Sequence, residues 1–183
     1  MPPTDDIDAA DLREVIAKHK IADVLTRYSR GIDRCDIDTL SAVFWPDATA
    51  DYGSGRQNAQ DWARATVAAL KGMHRTQHAI SNMLIDVERD TARAETYCQA
   101  FHEIDGPKVD GGGGRIEMVV GGRYLDRLER RDGAWRIAER TYVMDWNRNV
   151  PSTSQWDEGI YAGLKRLGGR LPDDPLKDFL AAT

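Results

Sequence analysis

The sequence predicts an α+β domain: a cone-shaped α+β barrel with N-terminal helices packed on a strongly bent, mostly antiparallel sheet. Three observations predict it. Apolar residues recur at helical spacing up to about residue 70; four long segments with a period of two follow; paired glycines interrupt one of them. Such a sheet, wrapped over the first helices, is expected to enclose a cone-shaped cavity.

The first helix is expected from about Asp11 to Ile32, on a stripe of Leu12, Val15, Ile16, Ala22, Leu25, Tyr28 and Ile32, with Gly31 weakening its last turn. Asp36 is placed to cap a short second helix from Ile37 to Phe44, and Trp45-Pro46-Asp47 should break it. A short strand from Ala48 to Tyr52 and a turn at Gly53-Ser54-Gly55 follow. Asn58 or Gln60-Asp61 opens a third helix through Trp62, Val67 and Leu70 that Gly72 stops.

Ala79–Val87, Arg93–Ile104, Ile116–Glu129 and Trp135–Trp146 read as strands. Asp90-Thr91 should turn the first pair and Asp132-Gly133 the last. Asp110 to Gly114 is a glycine-rich connection, and Gly121-Gly122 predicts a bulge that bends the sheet. Residues 1–150 make the barrel domain; 151–183 make a helical tail, with Trp156, Ile160, Tyr161, Leu164 and Leu167 at helical spacing. That tail is a candidate lid. Asp174-Pro175-Leu176 should begin a last short helix.

The bulk properties exclude several classes. A net charge of −5 with acids and bases interspersed gives no basic face for nucleic acid. No run approaches the roughly 20 apolar residues that cross a bilayer. The acidic start has no apolar stretch behind it, so a cytoplasmic protein is expected. Cys35 and Cys98 lack C-x-x-C spacing and read as reduced thiols. There is no phosphate loop and no G-x-S-x-G serine elbow.

The chemistry concentrates in two places. Tyr28 and Asp33 close the first helix, and His74 and His78 stand at the entrance to the β-rich half. A carboxylate at a helix C-terminus is disfavoured by the helix dipole, so capping does not account for Asp33. Paired with a histidine, it would orient the imidazole and stabilise the imidazolium. His74 and His78 have i, i+4 spacing, but Arg75 stands where a zincin has Glu, so no metal is expected. Tyr28 and Tyr52 are core aromatics that could offer hydroxyls to a substrate oxygen. Arg140, Asn82, Asn147 and Trp146 are further candidates for the cavity wall.

The run Ile21-Ala22-Asp23-Val24-Leu25-Thr26-Arg27-Tyr28-Ser29-Arg30-Gly31-Ile32-Asp33, with Leu40 to Ala48 after it, resembles the opening of SnoaL-like proteins of the nuclear-transport-factor-2-like superfamily. Tyr124 to Ile137, with Arg140 beyond, resembles the family's closing hairpin. The branch that fits best contains scytalone dehydratase, bile-acid dehydratase and hexachlorocyclohexane dehydrochlorinase. The resemblance implies a cofactor-independent lyase or isomerase acting on a small apolar ring compound: phenolic, polycyclic or steroid-like. It places the proton-abstracting histidine at His78 and its aspartate at Asp33, with Tyr28 beside them. It also implies substrate contacts from Tyr52 and Arg140, with His102 as the nearest match to a second family histidine. The superfamily uses its exposed sheet face to make oligomers, so a homodimer or homotrimer is expected. Two other readings stay open: a non-catalytic carrier or scaffold, and the small subunit of a ring-hydroxylating oxygenase.

Overall fold

The computed structural model describes residues 8–106 and 114–182 of the 183-residue chain. Most of the glycine-rich connection from Asp110 to Gly114 lies outside them. Three helices lie in the N-terminal part of the chain: α1 (Ala9–Asp33), α2 (Ile37–Ala42) and α3 (Ala59–Lys71). Strands β1 (Phe44–Asp51) and β2 (Gln57–Asn58) precede α3, and β3 (Arg75–Glu88), β4 (Thr91–Asp105), β5 (Arg115–Arg131) and β6 (Ala134–Pro151) follow it. They form one six-stranded sheet in the order β2-β1-β6-β5-β4-β3, antiparallel except where β1 runs parallel to β6.

The end of α1 sets the position of everything that follows. Asp36 N–H donates to Gly31 C=O and Cys35 N–H to Ile32 C=O, while Cys35 takes a left-handed φ of 50°. This is a Schellman turn with cysteine where glycine is usual. Asp36 then caps α2 by accepting from Thr39 N–H and Oγ1. The turn brings Gly31 against Leu40, whose backbone nitrogen stands 2.9 Å from where a Cβ at Gly31 would sit. Gly31→Ala should therefore cost about 1–3 kcal/mol by overpacking, despite the better helix propensity of Ala. Urea unfolding checks this, and a neutral or stabilising result would show that α2 can shift freely.

Only the second half of α1 is buried. Ile21, Leu25, Tyr28 and Ile32 enter the core, whereas Leu12, Val15 and Ile16, expected on the same stripe, are exposed. Facing α1, β4 alternates as the period of two predicts: Ala92, Ala94, Thr96, Cys98, Ala100 and His102 are all buried. Small residues there let the helices approach the sheet. Phe44, Trp62, Leu128, Trp135 and Ile137 complete the core.

Three bulges bend the sheet. Asn82, at φ 41°, is the extra residue of β3 between Ser81 and Met83. Ala138 and Asp145 are the extra residues of β6, opposite Arg127/Leu128 and Gly121/Gly122. The bulge expected at Gly121-Gly122 is therefore present, with its extra residue on the neighbouring strand. A Cβ at Gly121 would meet the Trp146 indole at 2.2 Å. The β5–β6 hairpin turns at Asp132-Gly133 with φ of 50° and 80°, as its sequence predicts.

Four expectations are corrected. Trp45-Pro46-Asp47 does not break a helix but lies in β1, in an irregular stretch whose pairing skips from Phe44 to Thr49, where a proline needs no ladder partner. Accordingly α2 stops at Ala42. The β3–β4 turn is Arg89-Asp90, one residue earlier than expected. The tail forms no long helix: one 3₁₀ turn (Gly159–Tyr161) is present, and Ile160 is 83% exposed. Gly159, Gly163 and the Gly168-Gly169 pair break the pattern. The short helix after Pro175 does form, as α4 (Leu176–Ala181).

Candidate active site

Asp33, at the last turn of α1, points its carboxylate at β3. One oxygen accepts from the backbone N–H of His78 at 2.8 Å, and the other pairs with His78 Nδ1 at 2.7 Å. Both side chains are buried. A carboxylate at Nδ1 puts the proton there and leaves Nε2 as the free base. The same aspartate thus holds both the ring and the backbone N–H of His78.

His102 stands edge-on to His78, with ring centroids 5.3 Å apart. It is buried, and its Nδ1 has no partner among the described residues. Burial first, and then the neighbouring His78, push its pKa down to about 4, so it is neutral at pH 7. Ser29 Oγ, one turn before Asp33 in α1, and Thr76 Oγ1, directly across the ladder from His102 and two residues before His78 in β3, are likewise buried without partners among the described residues. Buried polar atoms of this kind are uncommon; Thr96 and Arg140 carry others elsewhere among the described residues.

His102 has a consequence for stability. Between about pH 6.5 and 4 the unfolded chain takes up a proton at this residue that the folded chain refuses. Stability at this group is thus full above its unfolded pKa and falls as pH drops towards about 4. The loss is on the order of 2–3 kcal/mol. His102→Asn should flatten that part of the pH profile in urea unfolding at pH 7 and 4.5. An unchanged profile would mean that His102 titrates normally.

A second polar group lies further along the same face. Tyr28 and Tyr52 share a hydrogen bond of 2.6 Å between hydroxyls, and Tyr52 stacks on Trp62 at 4.2 Å. Tyr142 stacks on Tyr52 from β6. The Arg140 guanidinium lies 3.9 Å from the Tyr28 ring and 4.1 Å from that of Tyr124. Asp126 holds it with two hydrogen bonds of 2.7 Å. Burial pushes the phenol pKa values of Tyr28 and Tyr52 up, while the charge of Arg140 acts in the opposite direction. Cys98 connects the two groups: its thiol donates to Tyr124 Oη at 3.1 Å and feels the charges of both Arg140 and Asp33.

Asp33, His78 and His102 therefore come together, and Tyr28, Tyr52 and Arg140 come together beside them. Asn82 and Trp146 do not join them. Asn82 is the exposed bulge residue of the edge strand β3. Trp146 pairs with Gly121 on the opposite face of the sheet from Arg140 and Tyr142, and is 48% exposed. The extra residue at Asp145 turns it outward. Arg140 is not a surface residue but half of a fully buried ion pair. His74 stands apart, pairing with Asp105 at 2.7 Å. Sequence reading missed Asp126, Tyr124 and Cys98 as members. The available signal was their alternation with Leu128, Ala94 and Ala100 on inward-facing strand positions. Among the described residues, no group of three or more His, Cys, Asp or Glu could hold a metal ion. None of the described helices is long and apolar enough to cross a membrane.

Residues 13–141 match the SnoaL-like domain. The chain belongs to the SnoaL-like family. An uncharacterized Mycobacterium tuberculosis protein is 28% identical over 130 residues, 69% of this chain and 84% of that protein. Hexachlorocyclohexane dehydrochlorinase 1 of Sphingobium indicum is 20% identical over 147 residues, 75% of this chain and 87% of that enzyme. A solved structure from Novosphingobium aromaticivorans, provisionally assigned as a scytalone dehydratase, superposes with a TM-score of 0.64 at 20% identity. That superposition covers 74% of this chain and 88% of the other, and the likeness is one of fold. The chain also matches a segment of an Arabidopsis thaliana glucan-branching enzyme at 24% identity, spanning only 13% of that protein's length.

Proposed function

We propose that the protein is a cofactor-independent lyase of the hydro-lyase or related β-elimination type, with isomerisation as the alternative outcome of the same proton transfer. The observation that carries this reading is the two-point grip of Asp33 on His78. His78 Nε2 takes a proton from carbon next to a carbonyl or phenol, and Asp33 balances the charge that the imidazole gains. The Tyr28–Tyr52 hydroxyl pair holds the substrate oxygen as electrons move onto it, and Arg140 supports both phenols from behind. Loss of water or halide from the adjacent carbon completes an elimination, whereas return of the proton to another carbon gives an isomer. Half-buried Ile80, Met118, Val120 and Tyr142 share the inner face and suit a small apolar ring.

The test is proton exchange in deuterated water with a panel of hydroxylated or halogenated cyclic ketones and phenols, read by deuterium uptake and product mass. Turnover or exchange that both Asp33→Asn and His78→Ala abolish supports the reading. Compounds that bind wild type and both folded variants alike, with no exchange in any, would favour a carrier.

A further inference from the structure

The extra residue Asp145, which turns Trp146 outward, also decides which later side chains of β6 face the reacting pair. Beyond it Asn147 lies opposite Val120, Val120 opposite Ala100, and Ala100 opposite His78. Directly paired residues project on the same face of a sheet, so Asn147 shares the inner face with His78. The contacts agree. Asn147 Nδ2 lies 4.0 Å from Met144 Sδ, and Met144 pairs with Gly122, where a Cβ would meet the inward Tyr142 ring at 2.8 Å. Asp145 itself bonds Arg123 on the other face. Without the extra residue Asn147 would point away from the site.

The inner face changes along this rung from buried to open. His78 and Ala100 are buried, Val120 is half-buried, and Met144 and Asn147 are exposed. β1 follows β6 only as far as the Asp51–Thr141 pair, so beyond Thr141 no strand flanks β6 on that side among the described residues. The hollow therefore ends at the base and opens at β6, over a floor of small apolar side chains. Three steps between strands put Asn147 roughly 14 Å from His78 along the sheet, and nearer across its bend. The inward positions of β6 beyond Thr141, namely Tyr142, Met144, Asn147 and Asn149, carry no charge, whereas Asp145 and Arg148 take the outer face. Asparagine is a poor strand former, yet it holds two successive inward positions here.

We propose that Asn147 is a specificity residue that hydrogen-bonds an uncharged hydroxyl or carbonyl at the end of the substrate remote from the carbon that His78 deprotonates. The substrate is then a fused ring system with oxygen at both ends, not a single ring with oxygen at one. The assignment rests on reading Asp33 and His78 as the reacting pair. A carboxamide donates to a carbonyl and accepts from a hydroxyl, so it can recognise either group. A carboxylate would find no counter-charge on this part of β6. Rings lying over Ala100 and Val120 would exclude water from the contact, and a hydrogen bond counts for more in such a setting than in water.

The experiment uses two fluorescent probes on the full-length protein: β-naphthol, and the naphthalenediol with a second hydroxyl at the opposite end of the ring system. Wild type should bind the diol roughly fivefold more tightly, the worth of one net hydrogen bond. Asn147→Leu should erase that preference while holding β-naphthol at least as tightly as wild type. Asn147 is exposed, so the replacement leaves the core untouched. Asn149→Leu, one rung away, should keep the preference. In NMR spectra of wild type the diol should shift the methyl resonances of Ala100 and Val120. The proposal is overturned if wild type does not prefer the diol, non-binding of both probes included, or if Asn147→Leu keeps the preference. It is equally overturned if Asn149→Leu removes the preference or if those methyl resonances do not move. Binding and turnover are read separately. If the preference depends on Asn147 but the panel of ketones and phenols shows no exchange, the contact stands and the base falls; if exchange depends on His78 but Asn147→Leu changes nothing, the reverse holds.

Discussion

Arg140→Leu should lower the stability of the protein by about 3–5 kcal/mol. Arg140 and Asp126 have side chains with no solvent exposure, joined by two charge-assisted hydrogen bonds. Removing the guanidinium leaves a carboxylate buried without a counter-charge and takes a cation from between the Tyr28 and Tyr124 rings. The double variant Asp126→Leu/Arg140→Leu should recover much of that loss, because a well-packed apolar pair carries no desolvation cost. Denaturant unfolding of the wild type, both single variants and the double variant measures the coupling. A single-variant loss below about 1 kcal/mol would mean that water reaches Asp126 and that the pair contributes little.

His78→Ala should lower turnover of a reactive substrate by about 10²–10⁴-fold, the range that general-base help supplies. The effect should fall on kcat, with KM little changed, since the Tyr28–Tyr52 pair and the apolar face remain. Asp33→Asn should give a smaller but clear loss: the amide can still orient the ring, but it cannot balance the charge of an imidazolium. Single-turnover rates on folded variants separate the two effects. A His78→Ala protein that keeps wild-type kcat would remove the base from the mechanism.

Much of the fold was legible because it rests on local signals. Helical spacing, the Asp36 and Asn58 caps, the Asp132-Gly133 turn and the alternation along β4 each act over a few residues. That Asp33 and His78 would meet was expected mainly from the family resemblance, with the carboxylate at an unfavourable helix end as local support, and the two do pair. The rest was hidden by register. Counting outward from the Asp132-Gly133 turn would pair Asp126 with Glu139, but the extra residue at Ala138 moves its partner to Arg140. A second extra residue, Asp145, turns Trp146 away from the face it was expected to line. A one-residue slip reverses every later side chain, and no pattern within β6 marks its extra residues; the paired glycines that signal one of the two bulges lie on β5. The tail was misread for a related reason. Its apolar spacing is helical, but its glycines make an extended path back to Arg34 easier than a helix.

The hydrogen bond from His78 N–H to Asp33 has a meaning apart from chemistry. β3 is the last strand of the sheet, so the outward amides of its free edge are open to any passing strand. At His78 that rung is occupied by the chain's own aspartate. The residue read as the partner of the base is therefore also a guard against intermolecular strand pairing, and one substitution can disturb both duties. Asparagine leaves an acceptor on the amide and alanine does not, so solubility, as well as activity, distinguishes the two replacements.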